Sequence, residues 1–215
     1  MSSDTVARPV IFVLAGVNGA GKSTAGDSEL TQAGLTWFNP DSFARDLVNA
    51  LDCTQEEANS LAWRTGMDQL EQAIAQGRDY AFETTLGGNT IPARLREAAA
   101  SHDVLIWFTG LDSPEHHLAR IRFRVSHGGH DIPEAKVRER YQSSRLNLIT
   151  LLPYLAQLQV YDNSVDAIAG RPIPNPRLLL QMENGKVAWP VDIESLRAIP
   201  DWAKPIMEAA LSMQA

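Results

Sequence analysis

A run of β-forming residues, Pro9-Val-Ile-Phe-Val-Leu-Ala15, passes directly into Gly16-Val17-Asn18-Gly19-Ala20-Gly21-Lys22-Ser23-Thr24. The second stretch fits the pattern G-x-x-x-x-G-K-[ST], and no other feature of the chain narrows its fold so far. The first run reads as a strand buried on both faces, as in a parallel sheet. The glycines let the backbone turn its N–H groups inward around an anion. A helix must start inside the motif, and its N-terminus adds partial positive charge. Lys22 then reaches the terminal phosphates of a nucleoside triphosphate, and the Ser23 hydroxyl is placed to ligate Mg²⁺. Gly16, Asn18, Gly19, Ala20, Gly21, Lys22, Ser23 and Thr24 are the expected ATP-binding residues.

Beyond this loop, strands alternate with helices. Leu35–Phe38, Tyr80–Leu86, Val104–Gly110 and Leu158–Tyr161 read as strands. Helical stripes follow Asp41, the capping box Thr54-Gln-Glu-Glu57, Thr90, Ser113-Pro114 and Asp131-Ile-Pro133. That alternation predicts an α/β fold with a mostly parallel central sheet. After Arg171-Pro-Ile-Pro-Asn-Pro176 the pattern changes. Asn184-Gly185 between two apolar runs signals a β-hairpin, and an amphipathic helix with Trp202, Ile206, Met207 and Leu211 ends the chain. The expected organisation is a core over residues 1–170, with a lid at about 114–152, and a hairpin and helix over 171–215 packed on that core.

Composition closes off other classes. The chain has 215 residues, enough for one buried core, and a single cysteine, Cys53, so neither a disulfide framework nor a Cys-rich zinc site is expected. No apolar run reaches the ~18 residues of a membrane span, and the first residues lack a signal peptide's pattern, so a cytoplasmic protein is expected. The net charge of −7 argues against a nucleic-acid or membrane-surface partner. Its distribution is uneven. Between Arg120 and Arg145 lie seven basic and three acidic residues, a segment of +4 in a chain whose remainder is −11. Such an arrangement suits a local site for small anions.

Ligands of open α/β sheets bind at the carboxyl ends of the strands. Asp41 follows the second strand and is the candidate base that takes the proton of an acceptor hydroxyl; the alternative is a helix N-cap. Glu83, near the end of the third strand, would contact substrate or help orient Mg²⁺; the alternative is an acid facing solvent. Thr85 is a further candidate substrate contact, or simply a good strand residue. At 100° per residue, Arg120 and Arg124 share a helix face opposite Leu118, Ile121 and Val125. Arg140 enters the next helix, after the turn Gly128-Gly129-His130. Two arginine-bearing helices joined by glycines suggest a lid over the triphosphate; the alternative is a solvated helix pair. His130 would fix the turn or touch substrate, and His127 with His130 lacks the further ligands of a metal site.

Taken together, the phosphate loop, Asn39-Pro-Asp41, Phe82-Glu-Thr-Thr85 and the run from Arg124-Val-Ser-His-Gly-Gly-His-Asp-Ile-Pro133 to Arg140-Tyr141 resemble the zeta-toxin family of P-loop kinases, in its short chromosomal branch. The likeness spans roughly Pro9 to Leu152. It implies a P-loop kinase-like three-layer sandwich and an ATP- and Mg²⁺-dependent phosphotransferase acting on a nucleotide sugar such as UDP-N-acetylglucosamine. Carried over, Lys22 and Ser23 would hold ATP and Mg²⁺, and Asp41 would activate the sugar hydroxyl. Glu83 and Thr85 would contact substrate, and Arg124 and Arg140, with Arg120, would stabilise the transferred phosphoryl. Asn163 lies where related kinases contact adenine. A small antitoxin is the partner that the resemblance implies. An ATPase switch acting through a protein, or an antibiotic phosphotransferase, are the alternatives.

Overall fold

The computed structural model describes residues 7–22, 37–167, 170 and 172–214. Strand β1 (Val10–Ala15) is buried from its second residue onward, as its unbroken apolar sequence requires. It lies between β2 (Tyr80–Thr84) and β3 (Asp103–Gly110), parallel to both. β4 (Gln157–Asp162) continues the parallel sheet beside β3. The sheet then turns antiparallel through β5 (Arg177–Glu183) and β6 (Lys186–Trp189), giving, among the described residues, six strands in the order β2-β1-β3-β4-β5-β6.

Of the expected strand Leu35–Phe38, only its last residue pairs within the described part. Phe38 bridges Phe82, its N–H donating to the Ala81 carbonyl and the Glu83 N–H donating back to the Phe38 carbonyl, both at 2.9 Å. Leu35 and Thr36 lie outside the described residues, as does the body of the helix expected after the phosphate loop.

Among the described residues the α-helices are α1 (Pro40–Ala50), α2 (Gln55–Gln76), α3 (Thr90–Ala98), α4 (Pro114–Ser126), α5 (Glu134–Leu151), α6 (Ile193–Arg197) and α7 (Lys204–Ser212). Their starts follow local chemistry. Thr54 and Glu57 form the reciprocal capping box at the head of α2, and Gly77, in the left-handed region, ends it. The Ser113 hydroxyl accepts from the His116 N–H and Pro114 occupies the first turn of α4. α5 starts, as expected, directly after Asp131-Ile-Pro133. Asp131 spends its carboxylate on the Ile132 N–H next door, so the helix begins after Pro133 with no side-chain cap.

One large core joins β1, β3, β4 and β5 to α2, α3, α5 and α7 on one face of the sheet. Phe12, Leu14 and Ala81 pack with Trp37 and Trp107 on the other. Asn184 and Gly185, at φ 47° and 77°, make the tight turn between β5 and β6. The segment from residue 172 shares sheet and core with what precedes it. β5 pairs with β4 from Gln157↔Glu183 to Asp162↔Arg177, and the Trp202 ring packs 6.4 Å from Phe108. Trp202 lies ahead of α7 rather than inside it, and Ala210, not Leu211, faces the core. Among the described residues, no helix is long and apolar enough to cross a membrane.

Candidate active site

Gly16, Gly19 and Gly21 have φ of 141°, 82° and 83°, which turns the loop after β1 into a cradle. Neighbouring elements hold it there. The Asn163 amide, beyond β4, donates to the Ala20 carbonyl at 2.8 Å and lies so close to Gly21 that a Cβ would meet it at 2.5 Å. Asn163 thus acts on the loop's backbone. From α4, His117 Nδ1–H donates to the Asn18 carbonyl at 2.9 Å; from α5, Arg140 Nη1 donates to Asn18 Oδ1 at 2.7 Å. Ser23 and Thr24 lie outside the described residues.

Lys22 and Glu83 are both buried, with Nζ 3.3 Å from Oε1. A buried carboxylate needs a compensating cation and hydrogen bonds. Lys22 supplies the first, and Asn39 Nδ2 donates to Oε2 at 2.9 Å. The solvent-facing alternative for Glu83 is thereby excluded. The capping alternative for Asp41 also falls. Asn39 is the N-cap, accepting from the Ser42 N–H at 3.0 Å, and Pro40 takes the first helical position. Asp41 follows in the first turn, and its carboxylate makes no hydrogen bond among the described residues.

The arginines expected in a lid are dispersed. Arg120 donates to Asp166 and to the carbonyls of Asn163 and Val165, which ties α4 to the loop after β4. The Asp166 carboxyl is held below its ordinary range, chiefly by the hydrogen bond with His116 and then by Arg120. Arg124 Nη2 donates to the His130 carbonyl at 3.1 Å and so closes the Gly128-Gly129 turn. Arg140 reaches Asn18. The buried stripe of α4 also differs from expectation. Val125 is partly exposed and Phe123 largely so, while His117 joins Leu118 and Ile121 inside. Burial holds the His117 imidazole down to about 4, against the opposing bond to Asn18 and with reinforcement from nearby Lys22.

Three cavities surround these groups. The first, about 780 Å³, is walled by the phosphate loop, Asp41, Arg45, Arg120, Arg124 and the turn 127–130. The second, about 370 Å³, runs from Lys22 past Trp63, Thr84, Thr85, Ile91, Lys136 and Arg140. The third, about 270 Å³, continues outward along Trp63, Thr85, Gly87, Gly88 and Glu139. The first two share five residues: Asn18, Lys22, Asp41, Glu83 and His130. Thr85 lines the second and third, with its hydroxyl accepting from the Gly87 N–H. Arg120 and Arg124 belong to the first chamber and Arg140 to the other two, so the three arginines do not converge on one point.

Asn39 and His117 were not among the expected site residues. Asn39 is legible as an N-cap from the following proline, and His117 from its place beside Leu118 and Ile121 on one helical stripe.

Similarity to known proteins matches this architecture. A family model, AAA_33, described as an AAA domain, matches residues 11–146. An uncharacterised protein of Haemophilus influenzae is 33% identical over a 135-residue match that covers 59% of this chain and 88% of that protein. Among solved structures, the AvrRxo1-ORF1:AvrRxo1-ORF2 complex with sulphate ions superposes at a TM-score of 0.63 and 15% identity, covering 94% of this chain and 64% of that one. The same complex solved with ATP gives 0.63 at 14% identity, over 95% and 64%. The PezAT toxin-antitoxin system of Streptococcus pneumoniae gives 0.52 at 14% identity, over 74% and 68%. This chain therefore spans less than two thirds of the AvrRxo1 chain, and the likeness is one of fold: the P-loop kinase-like α/β arrangement.

Proposed function

The chain belongs to the AAA_33 family of AAA domains, and from that premise we propose that it is an ATP-dependent phosphotransferase of zeta-toxin type, transferring the γ-phosphoryl group to a hydroxyl of a small metabolite. The acceptor class we propose is a nucleotide sugar of the UDP-N-acetylglucosamine kind. One observation carries the reading: two cavities meet at Asn18, Lys22, Asp41, Glu83 and His130. A nucleotide hydrolase needs one chamber and a water. A kinase needs a second chamber that opens onto the terminal phosphate, with a base at the junction.

In this proposal the triphosphate lies along the loop in the first chamber, held by the inward N–H groups, Lys22 and Arg124. The loop's positive-φ glycines fit that ligand. Mg²⁺, when bound, neutralises charge on the β- and γ-phosphates, with Ser23 as its proposed ligand. The acceptor enters past Trp63 and Thr85. Its hydroxyl oxygen bonds to the γ-phosphorus as the bond to the bridging oxygen breaks, the proton passes to Asp41, and ADP leaves. Lys22, at the junction of the two cavities, faces the developing charge, with Arg124 on the side of the first cavity and Arg140 on the side of the second. The second and third cavities, which share Trp63, Thr84 and Thr85, suit an acceptor of two parts, one flat enough to lie on Trp63. A small antitoxin is the proposed partner, supported by the two-component assemblies of the structural relatives.

The test is a mass-spectrometric screen of pooled metabolites with MgATP, UDP-N-acetylglucosamine included, using the natural chain and Asp41→Asn. A product heavier by one phosphate, lost in Asp41→Asn while ATP affinity stays within about threefold, supports the proposal. ADP release without any phosphorylated acceptor turns the reading to an ATPase switch. Transfer retained by Asp41→Asn removes that residue from the chemistry.

A further inference from the structure

Asn39 stands between the two acids of the site, and its side chain is committed at both ends. Its Oδ1 accepts from the Ser42 N–H at 3.0 Å, capping α1, the helix that carries Asp41. Its Nδ2 donates to Glu83 Oε2 at 2.9 Å. The amide has only one workable orientation. The Ser42 N–H requires an acceptor and the Glu83 carboxylate a donor, so exchanging oxygen and nitrogen would lose both bonds.

The backbone supplies the register. The Phe38–Phe82 bridge, with the Glu83 N–H on the Phe38 carbonyl, lays residue 39 against the carboxyl end of β2. Glu83 is gripped on its other oxygen by Lys22. A neutral donor suits this place, because it fixes the carboxylate without adding a second cation beside Lys22.

We propose that Asn39 is a positioning residue, whose single amide locks the Glu83 carboxylate against Lys22 and sets the start of the helix that presents Asp41. The proposal rests on the phosphotransferase reading for its kinetic consequence and on the hydrogen bonds alone for its structural one. Capping by itself does not demand asparagine, since serine and aspartate cap about as well. Orientation of Glu83 does demand a donor.

Three variants of the full chain separate the two roles. Asn39→Ser keeps the cap and gives up the donor to Glu83. Asn39→Asp keeps the cap and sets a second carboxylate against the first. Asn39→Asp with Glu83→Gln rebuilds the bond with donor and acceptor exchanged. Thermal melts read the pairing: Asn39→Asp lowers Tm, and adding Glu83→Gln recovers most of the loss. Changes that simply add overturn the pairing.

Kinetics, read as ADP release from MgATP with and without UDP-N-acetylglucosamine, give the functional arm. Asn39→Ser is expected to lower kcat at least tenfold while KM for ATP stays within about twofold. A kcat equal to that of the natural chain reduces Asn39 to a cap and overturns the proposal. Should the natural chain release no ADP and form no product, the phosphotransferase reading fails instead, and the melts still judge the pairing of residues 39 and 83.

Discussion

Arg140 Nη1 donates to Asn18 Oδ1 at 2.7 Å, across the 122 positions that separate this residue of α5 from the phosphate loop. The same asparagine gives its backbone carbonyl to His117 on α4. One residue of the loop therefore receives both helices, one through its side chain and one through its main chain. Substitution separates these attachments. Asn18→Ala keeps the His117 bond and strips Arg140 of its partner. Hydrogen bonds to charged groups contribute about 1.5–3 kcal/mol. The expected outcome is a Tm lower by several degrees and a weaker KM for ATP, with the α-helical circular dichroism signal unchanged. Thermal melts and ATP titrations of Asn18→Ala against Arg140→Ala check it; if the bond matters, the double variant costs little more than either single change.

Trp63 is half-exposed on α2 and lines the second and third cavities without touching the first. An indole at that place offers a flat apolar face to whatever occupies the outer chamber. Under the proposed reading, Trp63→Ala raises KM for the acceptor about tenfold, the equivalent of ~1.4 kcal/mol. ADP release without acceptor and affinity for ATP stay as they were. Steady-state kinetics with each substrate varied in turn distinguish this from a general loss, which would lower both together.

These contrasts show which parts of the molecule are readable in the chain. The phosphate loop, the capping box of α2 and the turn at Asn184-Gly185 are set by residues within a few positions of each other, and they fold as their chemistry directs. The pairing of β5 against β4 is different. A hairpin signal says that two strands face each other, but nothing local says which sheet edge they join. The arginines expected in a lid depart from expectation for a related reason. A helical wheel tells which side of α4 carries Arg120 and Arg124, yet Asp166 and Asn163, which receive the Arg120 guanidinium, lie more than 40 positions away, and Arg124 turns back onto the His130 carbonyl of the turn that follows its own helix. The wheel also misplaced Val125 by treating an aliphatic side chain as buried where a histidine had taken that role. Asp41 and Glu83 were legible because strand ends in such sheets converge. Asn39, which joins them, stands in the sequence only as part of the Asn39-Pro-Asp41 motif, because its bond to Glu83 spans 44 positions.

Gly129 provides a steric test of the turn between α4 and α5. Its φ is not in the left-handed region, so its need for glycine is one of space. A Cβ there would lie 2.7 Å from Arg124 Cγ and 3.0 Å from the Arg124 carbonyl oxygen. Gly129→Ala must push Arg124 from its bond to the His130 carbonyl or open the turn. Arg124, Gly128 and Gly129 wall the first cavity and not the second, and only His130 of the turn lines both, so the first cavity takes the larger disturbance. The expectation is a KM for ATP raised roughly three- to tenfold, or about 0.6–1.4 kcal/mol, with KM for the acceptor little changed. Gly128 is the control of opposite kind. It has open space but φ of 89°, so Gly128→Ala strains the backbone without touching Arg124. Equal effects of the two substitutions on KM for ATP would show that the turn's shape, and not the place of Arg124, governs binding.

His117 makes acid stability a probe of the loop's underside. The imidazole is buried, and because its Nδ1 faces a carbonyl it must carry its proton there, leaving Nε2 bare and without a partner among the described residues. Burial depresses its pKa in the folded chain from 6.5 to about 4. The unfolded chain therefore binds the proton more readily between those values. The stabilisation is fully present above pH 6.5 and is lost as the pH falls toward 4. A depression of that size corresponds to at most ~3 kcal/mol. Urea unfolding of the natural chain is expected to show the free energy falling across this window. In His117→Asn the amide nitrogen takes the place of Nδ1, keeps the bond to the Asn18 carbonyl and does not titrate, so the fall is reduced by up to about one proton's worth of slope. Unchanged slopes in the two proteins would show that the acid sensitivity arises elsewhere, and that the histidine's burial does not govern how the phosphate loop is held.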